Sequence, residues 1–334
     1  MKLITYKHAT KEQLAFVVGD KVIDCQLADT RLPGTMNTLL KDWETVQPIA
    51  TQVYQDLLAG KMVSDQYRSL QEVELMAPVP YPASCRDGYA FRQHVETARQ
   101  NRGLPMIPEF DQYPVFYFTN HQSIQGPGPV LCMPDHFQKL DFELEVAIVI
   151  CKQGRNIRAK EADAYMGGLM IMNDLSARTL QMEEMLLNLG PAKGKDFATV
   201  LGPQLVTLDE LSQYEVPPKA AHVGKSWNLE MKCRVNGVPV SSGNLAAMDW
   251  TFAELIERCS YGVTLQPGDV IGSGTVGTGC FLELNGTGKR TNPNYPEQWL
   301  QAGDEVELEV DRLGKLTNTI EREETEHSLL ALKK

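Results

Sequence analysis

Apolar and polar positions alternate regularly over the first part of the chain. The alternation runs through residues 3–28, where Gly19-Asp20 separates the segments AFVV and KVIDC. A glycine-containing pair between two alternating runs is typical of a β-hairpin turn. Residues 37–60 change to the spacing of a helix. We expect Asn37 to cap that helix and Pro48 to interrupt it, because proline cannot donate the helical hydrogen bond.

A proline-rich stretch follows this helix. Residues 72–84 carry three prolines, and each proline biases the preceding residue towards extended backbone. The stretch therefore predicts an extended connector. We place a domain boundary at its start, with a small N-terminal α/β domain over residues 1–75 and a larger domain over residues 76–334.

Short apolar or alternating runs that end at Gly, Asn or Asp dominate the larger domain. They predict strands within residues 139–154, 167–175, 232–240, 269–277, 280–286 and 305–314. Helical spacing stands out only near residues 89–101, 176–188 and 250–259. Short strands with few helices do not form alternating βαβ units, so the pattern favours a β-rich sandwich, roll or barrel-like core.

A glycine pattern at residues 272–277, GSGTVG, has the GxGxxG spacing of a dinucleotide-binding loop. That loop requires a helix to begin there, so that its N-terminus meets the pyrophosphate. The following residues, TGCFLELNG, alternate as a strand. We therefore expect a tight loop whose backbone N–H groups face a ligand, and no dinucleotide.

Composition and charge narrow the possible partners. The chain has 334 residues, with 43 acidic side chains against 32 basic ones, a net charge of -11 and 43% hydrophobic residues. These proportions are typical of a globular protein, and the acidic excess disfavours nucleic acid. Seven scattered cysteines without a CxxC spacing predict reduced thiols. No apolar run approaches the roughly 18 residues of a membrane span. We expect a soluble cytoplasmic protein.

One predicted strand carries a row of carboxylates. Asp141, Glu143 and Glu145 share a face, while the alternate residues from 142 to 150 are apolar. Neighbours on one face lie roughly 6.5–7 Å apart, and like charges that are partly desolvated require a cation or arginines. Oxygen ligands without His or Cys favour Mg²⁺, Ca²⁺ or Mn²⁺ over zinc. A half-exposed strand whose carboxylates lie in water is the simpler alternative.

Three other segments could complete such a site. Asp174 closes a strand ahead of a helix that places Arg178 and Gln181 on one face. Lys195 lies in a loop bounded by Gly and Pro, and His94 lies in a polar helical stretch. An imidazole can exchange a proton near neutral pH. Each residue also has a plain structural interpretation, as a helix cap, as solvated loop or helix residues, or as an inert exposed histidine.

In combination, these segments resemble the fumarylacetoacetate hydrolase family. The resemblance runs from about Asp87 to Glu283, with similar strand patterning to about residue 310. It rests on RDxYxxRQH at residues 86–94, DFELE at 141–145, NDxSARxxQ at 173–181, GKxF at 194–197 and GxGT at 272–275. It implies a β-rich α+β fold, a mixed β-sandwich roll of the fumarylacetoacetase C-terminal type, behind a small N-terminal domain. It also implies a homodimer.

The resemblance assigns roles by position in these motifs. The implied metal ligands are Asp87, Glu143, Glu145 and Asp174. The implied general base is His94, oriented by Glu283, although Glu96 lies nearer in sequence and stays an alternative. The residues implied to line the substrate oxyanion and leaving group are Arg178, Gln181 and Lys195. Those implied to contact substrate oxygens are Tyr89 and Thr275, with Thr199 near the metal and Arg102 and Tyr117 as weaker candidates.

The activity implied is metal-dependent hydrolysis of a C–C bond in a diketo acid of the fumarylacetoacetate or acylpyruvate type. The expected metal is Mg²⁺ or Ca²⁺, with Mn²⁺ possible, and the expected setting is aromatic amino-acid catabolism such as tyrosine degradation. Residues 96–120, which follow His94, depart from the animal enzymes, so the identity of the diketo acid stays open. The alternatives are a 2-oxo acid decarboxylase, a 2-oxo-alkenoate hydratase or isomerase, and a metal- or acid-binding protein without catalysis.

Overall fold

The computed structural model describes residues 1–61 and 66–334. The elements before residue 76 are β1 Lys2–His8, β2 Lys11–Val18, β3 Lys21–Asp24, α1 Cys25–Ala28, α2 Met36–Lys41, α3 Trp43–Leu58, β4 Arg68–Ser69 and β5 Glu74–Leu75. The predicted hairpin is confirmed, because β2 pairs antiparallel with β3 across Gly19-Asp20. Gly19 has a φ of 64°, in the left-handed region that glycine adopts without strain.

The helix prediction needs two corrections. Thr35, and not Asn37, caps α2, since its side chain accepts a hydrogen bond from the backbone N–H of Thr38. The helical segment is interrupted at Asp42, between α2 and α3, and not at Pro48, which lies inside α3. Pro48 is exposed, so water can reach the carbonyl that its missing N–H leaves unpaired.

The remaining elements confirm most of the predicted strands. They are β6 Cys85–Gly88, α4 Arg92–Gln100, β7 Phe116–Thr119, β8 Ile124–Gln125, β9 Gly128–Cys132, β10 Leu140–Asp141, β11 Leu144–Ile150, β12 Gly154–Arg155, α5 Ala159–Ala162, β13 Met166–Asp174, β14 Ser176–Ala177, α6 Arg178–Met185, α7 Ala192–Lys195, β15 Thr199–Val206, β16 Glu215–Val216, β17 Ser226–Trp227, β18 Glu230–Val235, β19 Val238–Asn244, α8 Phe252–Ser260, β20 Thr264–Leu265, β21 Val270–Gly272, α9 Phe281–Thr291, β22 Glu305–Val310 and β23 Gly314–Arg322. The three predicted helical stretches correspond to α4, α6 and α8.

Two large sheets organise the fold. A 12-stranded sheet runs in the order β4-β3-β2-β1-β15-β13-β11-β21-β6-β7, with β5 added on β1 and β8 on β15. It is mixed, since β21 with β6 and β15 with β8 are parallel pairs. A five-stranded sheet has the order β19-β18-β22-β23-β9. This architecture confirms the β-rich α+β fold. Because β1 pairs with β15, the N-terminal strands continue the large sheet, and the boundary near residue 75 stays a prediction.

Strand β11 is covered on both faces. One set of its side chains packs into the core between the two sheets: Leu144, Val146, Ile148 and Ile150. The alternate set packs into the core that α2 and α3 share with the large sheet: Ala147 and Val149. The position of β11, which contains Glu145 and directly follows Glu143, is therefore fixed by apolar side chains packed against both of its faces.

The predicted strand over residues 280–286 is wrong, because helix α9 begins at Phe281. The backbone N–H groups of Phe281 and Leu282 donate to Asp141 at 2.7 and 2.9 Å, so a buried carboxylate caps the helix. A helix therefore does follow the GSGTVG loop, contrary to the prediction, but its N-terminus binds Asp141 and is not open to a pyrophosphate.

Two further observations bear on the sequence analysis. All seven cysteines are free and buried. Within residues 1–61 and 66–334, no helix is both long enough and apolar enough to cross a bilayer.

Candidate active site and metal centre

Four carboxylates converge at the middle of the large sheet. Asp87 lies on β6, Glu145 on β11 and Asp174 at the end of β13, while Glu143 directly precedes β11. These strands lie within the run β13-β11-β21-β6 of the sheet, and one oxygen of each of the four carboxylates lies within 4.8 Å of the others. All four side chains are buried. The sheet order thus collects residues that are far apart in sequence.

The chemistry of this cluster fits a hard divalent cation. Burial, reinforced by the charge of Asp174, raises the pKa of Asp87 to about 8. Burial and the charge of Asp87 raise the pKa of Glu145 well above its ordinary value. Glu145 Oε2 and Asp174 Oδ1 are buried and have no hydrogen-bond partner among the described residues. An oxygen-binding ion would satisfy these atoms and offset the repulsion.

Two basic side chains flank the cluster on one side. Lys195 Nζ donates to Asp174 Oδ2 at 2.7 Å and to Glu143 Oε2. Arg178 Nη2 lies 2.8 Å from Glu143 Oε1 and 2.8 Å from Asp141 Oδ2. Burial opposes ionisation of Glu143, but the charges of Lys195 and Arg178 lower its pKa to about 2. Glu143 therefore stays ionised near neutral pH, whereas the surroundings of Asp87 and Glu145 favour their neutral forms.

Neighbouring groups hold the carboxylates of the cluster in place. Thr275 Oγ1 donates to Glu145 Oε1 at 3.1 Å, and the N–H of Gly274 donates to Asp87 Oδ1 at 3.0 Å. The GSGTVG loop therefore directs backbone and hydroxyl groups at two carboxylates of the cluster. The amide of Asn173 accepts from the N–H of Glu143 at 3.0 Å. The hydroxyl of Tyr117 donates to Asp174.

His94 and Glu283 form a second group beside the cluster. His94 is buried on α4, and its Nδ1 lies 2.6 Å from Glu283 Oε2 on α9. The other oxygen of Glu283 accepts from the N–H of Thr278 at 3.0 Å. Glu96, the alternative partner, instead accepts a hydrogen bond from Gln100 at 3.4 Å. Because the Nδ1 atom of His94 is bound to Glu283, the Nε2 atom is left for another partner.

Asn101 ties the two helices together. Its Nδ2 donates to the carbonyl of Glu283 at 3.0 Å and to Thr287 Oγ1 at 3.3 Å. A Cβ at Gly286 would lie 2.5 Å from Asn101 Nδ2, so only glycine permits this approach. The separation of His94 and Glu283 is thus set by the packing of α4 on α9.

A single cavity of about 620 Å³ joins both groups. Its lining includes the predicted site residues Asp87, Tyr89, His94, Glu143, Arg178, Gln181, Lys195, Thr275 and Glu283, together with Arg102 and Tyr117. Glu145 and Asp174 do not line the cavity but are hydrogen-bonded to two residues that do, Thr275 and Tyr117 respectively. The outer wall adds apolar and basic side chains such as Met182, Trp299, Lys139 and Lys289.

The remaining predicted residues take the following positions. Gln181 Oε1 accepts from Arg178 Nη1 at 2.9 Å. The ring of Tyr89 stands edge-on to that of His94 at 5.8 Å. Thr199 pairs with Asp174 in the sheet, and its hydroxyl lies 3.3 Å from that of Thr119.

Sequence reasoning did not assign a role to three residues of this region: Asp141, Asn173 and Asn101. Asn173 directly precedes Asp174, so the NDxSAR motif could have indicated it. Asp141 lay on the predicted carboxylate face, but its partners come from α6 and α9. Asn101 contacts residues more than 180 positions away, and local sequence gives no indication of that contact.

Comparison with known proteins is consistent with this arrangement. A family model described as fumarylacetoacetate (FAA) hydrolase C-terminal matches residues 84–321. The human protein named oxaloacetate tautomerase FAHD2A, mitochondrial, is 32% identical over 333 residues, covering 96% of this chain and 91% of that protein. Oxaloacetate tautomerase YisK of Bacillus subtilis (strain 168) is 28% identical over 335 residues, covering 96% of this chain and 100% of that protein.

A solved structure shares the fold. The maleylpyruvate hydrolase from Sphingobium sp. SYK-6, in complex with manganese(II) ion and pyruvate, superimposes with a TM-score of 0.67 at 20% identity. The match covers 96% of this chain and 99% of that chain.

Proposed function

The chain belongs to the fumarylacetoacetate hydrolase family. We propose that it is a metal-dependent enzyme that interconverts the keto and enol forms of a 2-oxo dicarboxylic acid of the oxaloacetate type. The observation that carries the proposal is the His94–Glu283 hydrogen bond in the same cavity as the carboxylate cluster. A proton-transfer pair beside a cation site is what enolisation next to a ketone requires. The names of the relatives FAHD2A and YisK support the choice of reaction.

The residues that would hold the ion are Asp87, Glu143, Glu145 and Asp174. A divalent ion bound there would act as a Lewis acid towards the 2-oxo group. The ion is Mg²⁺, Ca²⁺ or Mn²⁺, the three that carboxylate oxygens accept.

The protein's own groups would carry the proton. His94 Nε2 takes the proton from the carbon next to the ketone, while Glu283 stabilises the resulting imidazolium through Nδ1. The same imidazolium then returns the proton to the enolate oxygen, or to the carbon in the reverse direction. No other reactant is consumed.

Arg178 and Lys195 supply positive charge, and Gln181 an amide, at the wall of the cavity. These groups stabilise the negative charge that develops on the substrate oxygens, an effect typically worth roughly 2.7–4 kcal/mol per donor. Tyr89 and Thr275 lie on the same cavity surface and contact the substrate carboxylate.

Hydrolysis of a C–C bond in a fumarylacetoacetate- or acylpyruvate-type diketo acid is the second candidate. The same pair supports it, because His94 can remove a proton from water instead of carbon. The hydroxide then adds to the carbonyl, the C–C bond breaks, and the leaving carbon takes its proton from His94. Decarboxylation of a 2-oxo acid uses the same cation site but does not require this base.

A direct comparison of substrates tests these candidates. The Mg²⁺- or Mn²⁺-loaded protein is mixed with enol-oxaloacetate, and the loss of enol absorbance is followed together with pyruvate formation. Faster ketonisation without pyruvate supports the tautomerase, whereas pyruvate formation from oxaloacetate indicates decarboxylation. Cleavage of acylpyruvates with a higher kcat/KM supports the hydrolase. If no substrate in the panel reacts faster than in buffer, the proposal is wrong.

The setting of the enzyme stays a prediction. Cytosolic location was expected from the reduced cysteines, while the human relative is named mitochondrial. The family resemblance implies a homodimer and a role in tyrosine breakdown, and both stay predictions.

A further inference from the structure

A third metal-binding side chain lies beside the His94–Glu283 pair. Cys280 is the residue immediately before α9, three positions ahead of Glu283. One ligand atom from each of His94, Cys280 and Glu283 lies within 4.8 Å of the other two, and all three residues are buried. The four carboxylates described above form a separate group.

We propose that His94, Cys280 and Glu283 form a second metal site, which binds a borderline-soft cation such as Zn²⁺ and thereby blocks the proton-transfer pair. The two sites differ in the softness of their ligands. The carboxylate cluster offers oxygen alone, whereas this group offers a sulfur, an imidazole nitrogen and an oxygen. Thiolate and imidazole select Zn²⁺ over Mg²⁺ and Ca²⁺.

The geometry needs little adjustment to accept such an ion. Zn–S and Zn–N bonds of about 2.3 and 2.0–2.1 Å place the donor atoms of a tetrahedral site roughly 3–4 Å apart. Small side-chain rotations bring atoms that now lie within 4.8 Å to that separation. Glu283 is held by the N–H of Thr278 at 3.0 Å, so one ligand is already fixed.

The cavity gives the cation a route to the site. His94 and Glu283 both line it, and Cys280 lies behind them at the start of α9. A tetrahedral zinc site with three protein ligands keeps its fourth position for water, and the cavity lined by His94 and Glu283 would supply that water.

The proton balance is closed without a further reactant. Zn²⁺ displaces the thiol proton of Cys280, which passes to solvent, and takes the place of the proton on His94 Nδ1, which moves to Nε2. No bond is oxidised or reduced. With Nδ1 bound to the metal and Nε2 protonated, His94 can no longer accept a proton from substrate.

The binding test uses Co²⁺ as a spectroscopic replacement for Zn²⁺ in the intact protein saturated with Mg²⁺. A thiolate bound to Co²⁺ gives a ligand-to-metal charge-transfer band in the near ultraviolet, which an oxygen-only site does not give. We expect the band in the wild type. We also expect it in the control Cys25→Ser, which removes a buried cysteine of the N-terminal region. We expect its loss in Cys280→Ala, Cys280→Ser and His94→Ala.

A wild type without the band, or a band that persists in both Cys280 variants, overturns the proposal. The use of two substitutions guards against one of them failing to fold. This readout is independent of the substrate, so it stands or falls separately from the proposed function.

The activity test measures the Zn²⁺ concentration for half-inhibition at saturating Mg²⁺, with each variant referred to its own uninhibited rate. Because the loss of one ligand lowers the affinity by at least about tenfold, Cys280→Ala should need at least about tenfold more Zn²⁺ for half-inhibition than the wild type. The control Cys25→Ser should need the same Zn²⁺ concentration as the wild type. Equal sensitivity of Cys280→Ala and the wild type would place the inhibitory ion at the carboxylate cluster instead and contradict the proposal.

Discussion

His94 Nδ1 lies 2.6 Å from Glu283 Oε2, across a sequence separation of 189 residues. The contact joins helices α4 and α9 inside the cavity that also contains the carboxylate cluster. A short hydrogen bond to a buried carboxylate fixes the imidazole tautomer and its orientation. The first prediction follows from this pair.

Replacing His94 by Asn or Glu283 by Gln should lower kcat by about 10²–10⁴, the usual contribution of a positioned acid–base group. KM should change much less, since neither residue is assigned to substrate binding. The measurement is steady-state kinetics on whichever of the substrates named above, oxaloacetate or the acylpyruvates, reacts fastest. The control is Glu96→Gln, which removes the carboxylate nearer in sequence and should leave kcat close to wild type. A Glu96 variant as slow as the Glu283 variant would mean that the pairing is wrong.

Glu145 gives the second prediction, which concerns the metal. Burial and the charge of Asp87 raise the pKa of Glu145 well above its ordinary value, which favours its neutral form in the metal-free protein. Glutamine has the shape of a protonated glutamate, so Glu145→Gln should unfold at nearly the wild-type temperature without metal. Its affinity for Mn²⁺ should fall at least about tenfold, which is 1.4 kcal/mol.

Calorimetric titration with Mn²⁺ and thermal unfolding with and without the ion check this result. Glu74→Gln, at a surface position paired with Lys7, is the control and should bind Mn²⁺ as the wild type does. If Glu145→Gln bound Mn²⁺ equally well, Glu145 would not be a ligand.

Arg178 gives the third prediction, which concerns stability. Its guanidinium pairs with two buried carboxylates, Asp141 and Glu143. Arg178→Met leaves the buried Asp141 without a cationic partner and Glu143 with Lys195 alone, and should lower the free energy of unfolding by about 3–5 kcal/mol. Urea unfolding monitored by tryptophan fluorescence measures the difference. Arg158→Met, at a side chain that is 73% exposed and 3.5 Å from Glu257, should cost less than about 1 kcal/mol.

His136 gives the fourth prediction, which concerns pH. Burial, with a contribution from Lys193, lowers its pKa from 6.5 to about 4, and its ring packs on Phe197 at 4.1 Å. Between these two pKa values, His136 is protonated in the unfolded chain but neutral in the folded chain. The stability that depends on neutral His136 is therefore fully present above pH 6.5 and is lost as the pH falls to about 4.

Relative to His136→Gln, the wild type should therefore lose on the order of 1–3 kcal/mol of stability between about pH 7 and pH 4. Comparing the variant with the wild type at each pH cancels the titration of the carboxylate cluster. An exposed histidine, His327, offers the control substitution His327→Gln, which should follow the wild-type curve. A wild type and a His136→Gln variant with parallel curves would contradict the assignment.

The carboxylate row and its strand could be predicted because the sequence pattern that determines them lies within a few neighbouring residues. A period of two places Glu143 and Glu145 on one side of the strand, and the apolar alternation assigns both cores. The motif around Asp174, Arg178 and Gln181 was similarly compact. Each of these residues lies within a few positions of the others that define its pattern.

Helix α9 could not be predicted in the same way. Its sequence contains Gly286 and Gly288, which local propensity disfavours in a helix. A Cβ at Gly286 would lie 2.5 Å from Asn101, and one at Gly288 would lie 2.5 Å from Tyr295. The helix is stabilised instead by Asp141, a carboxylate 140 residues earlier in the chain. Tertiary contacts decide this element, whereas the local alternation of apolar and polar residues predicts a strand.

The pairing of β1 with β15 has a practical consequence for dividing the chain. Leu3 pairs with Leu205 at the centre of the large sheet, and the N-terminal helices cover Met170, Met172 and Leu201. A fragment beginning at residue 76 would leave an open strand edge beside uncovered apolar side chains, which is a template for aggregation. The region that matches the family model would therefore be expected to stay in solution only when the first 75 residues are supplied with it.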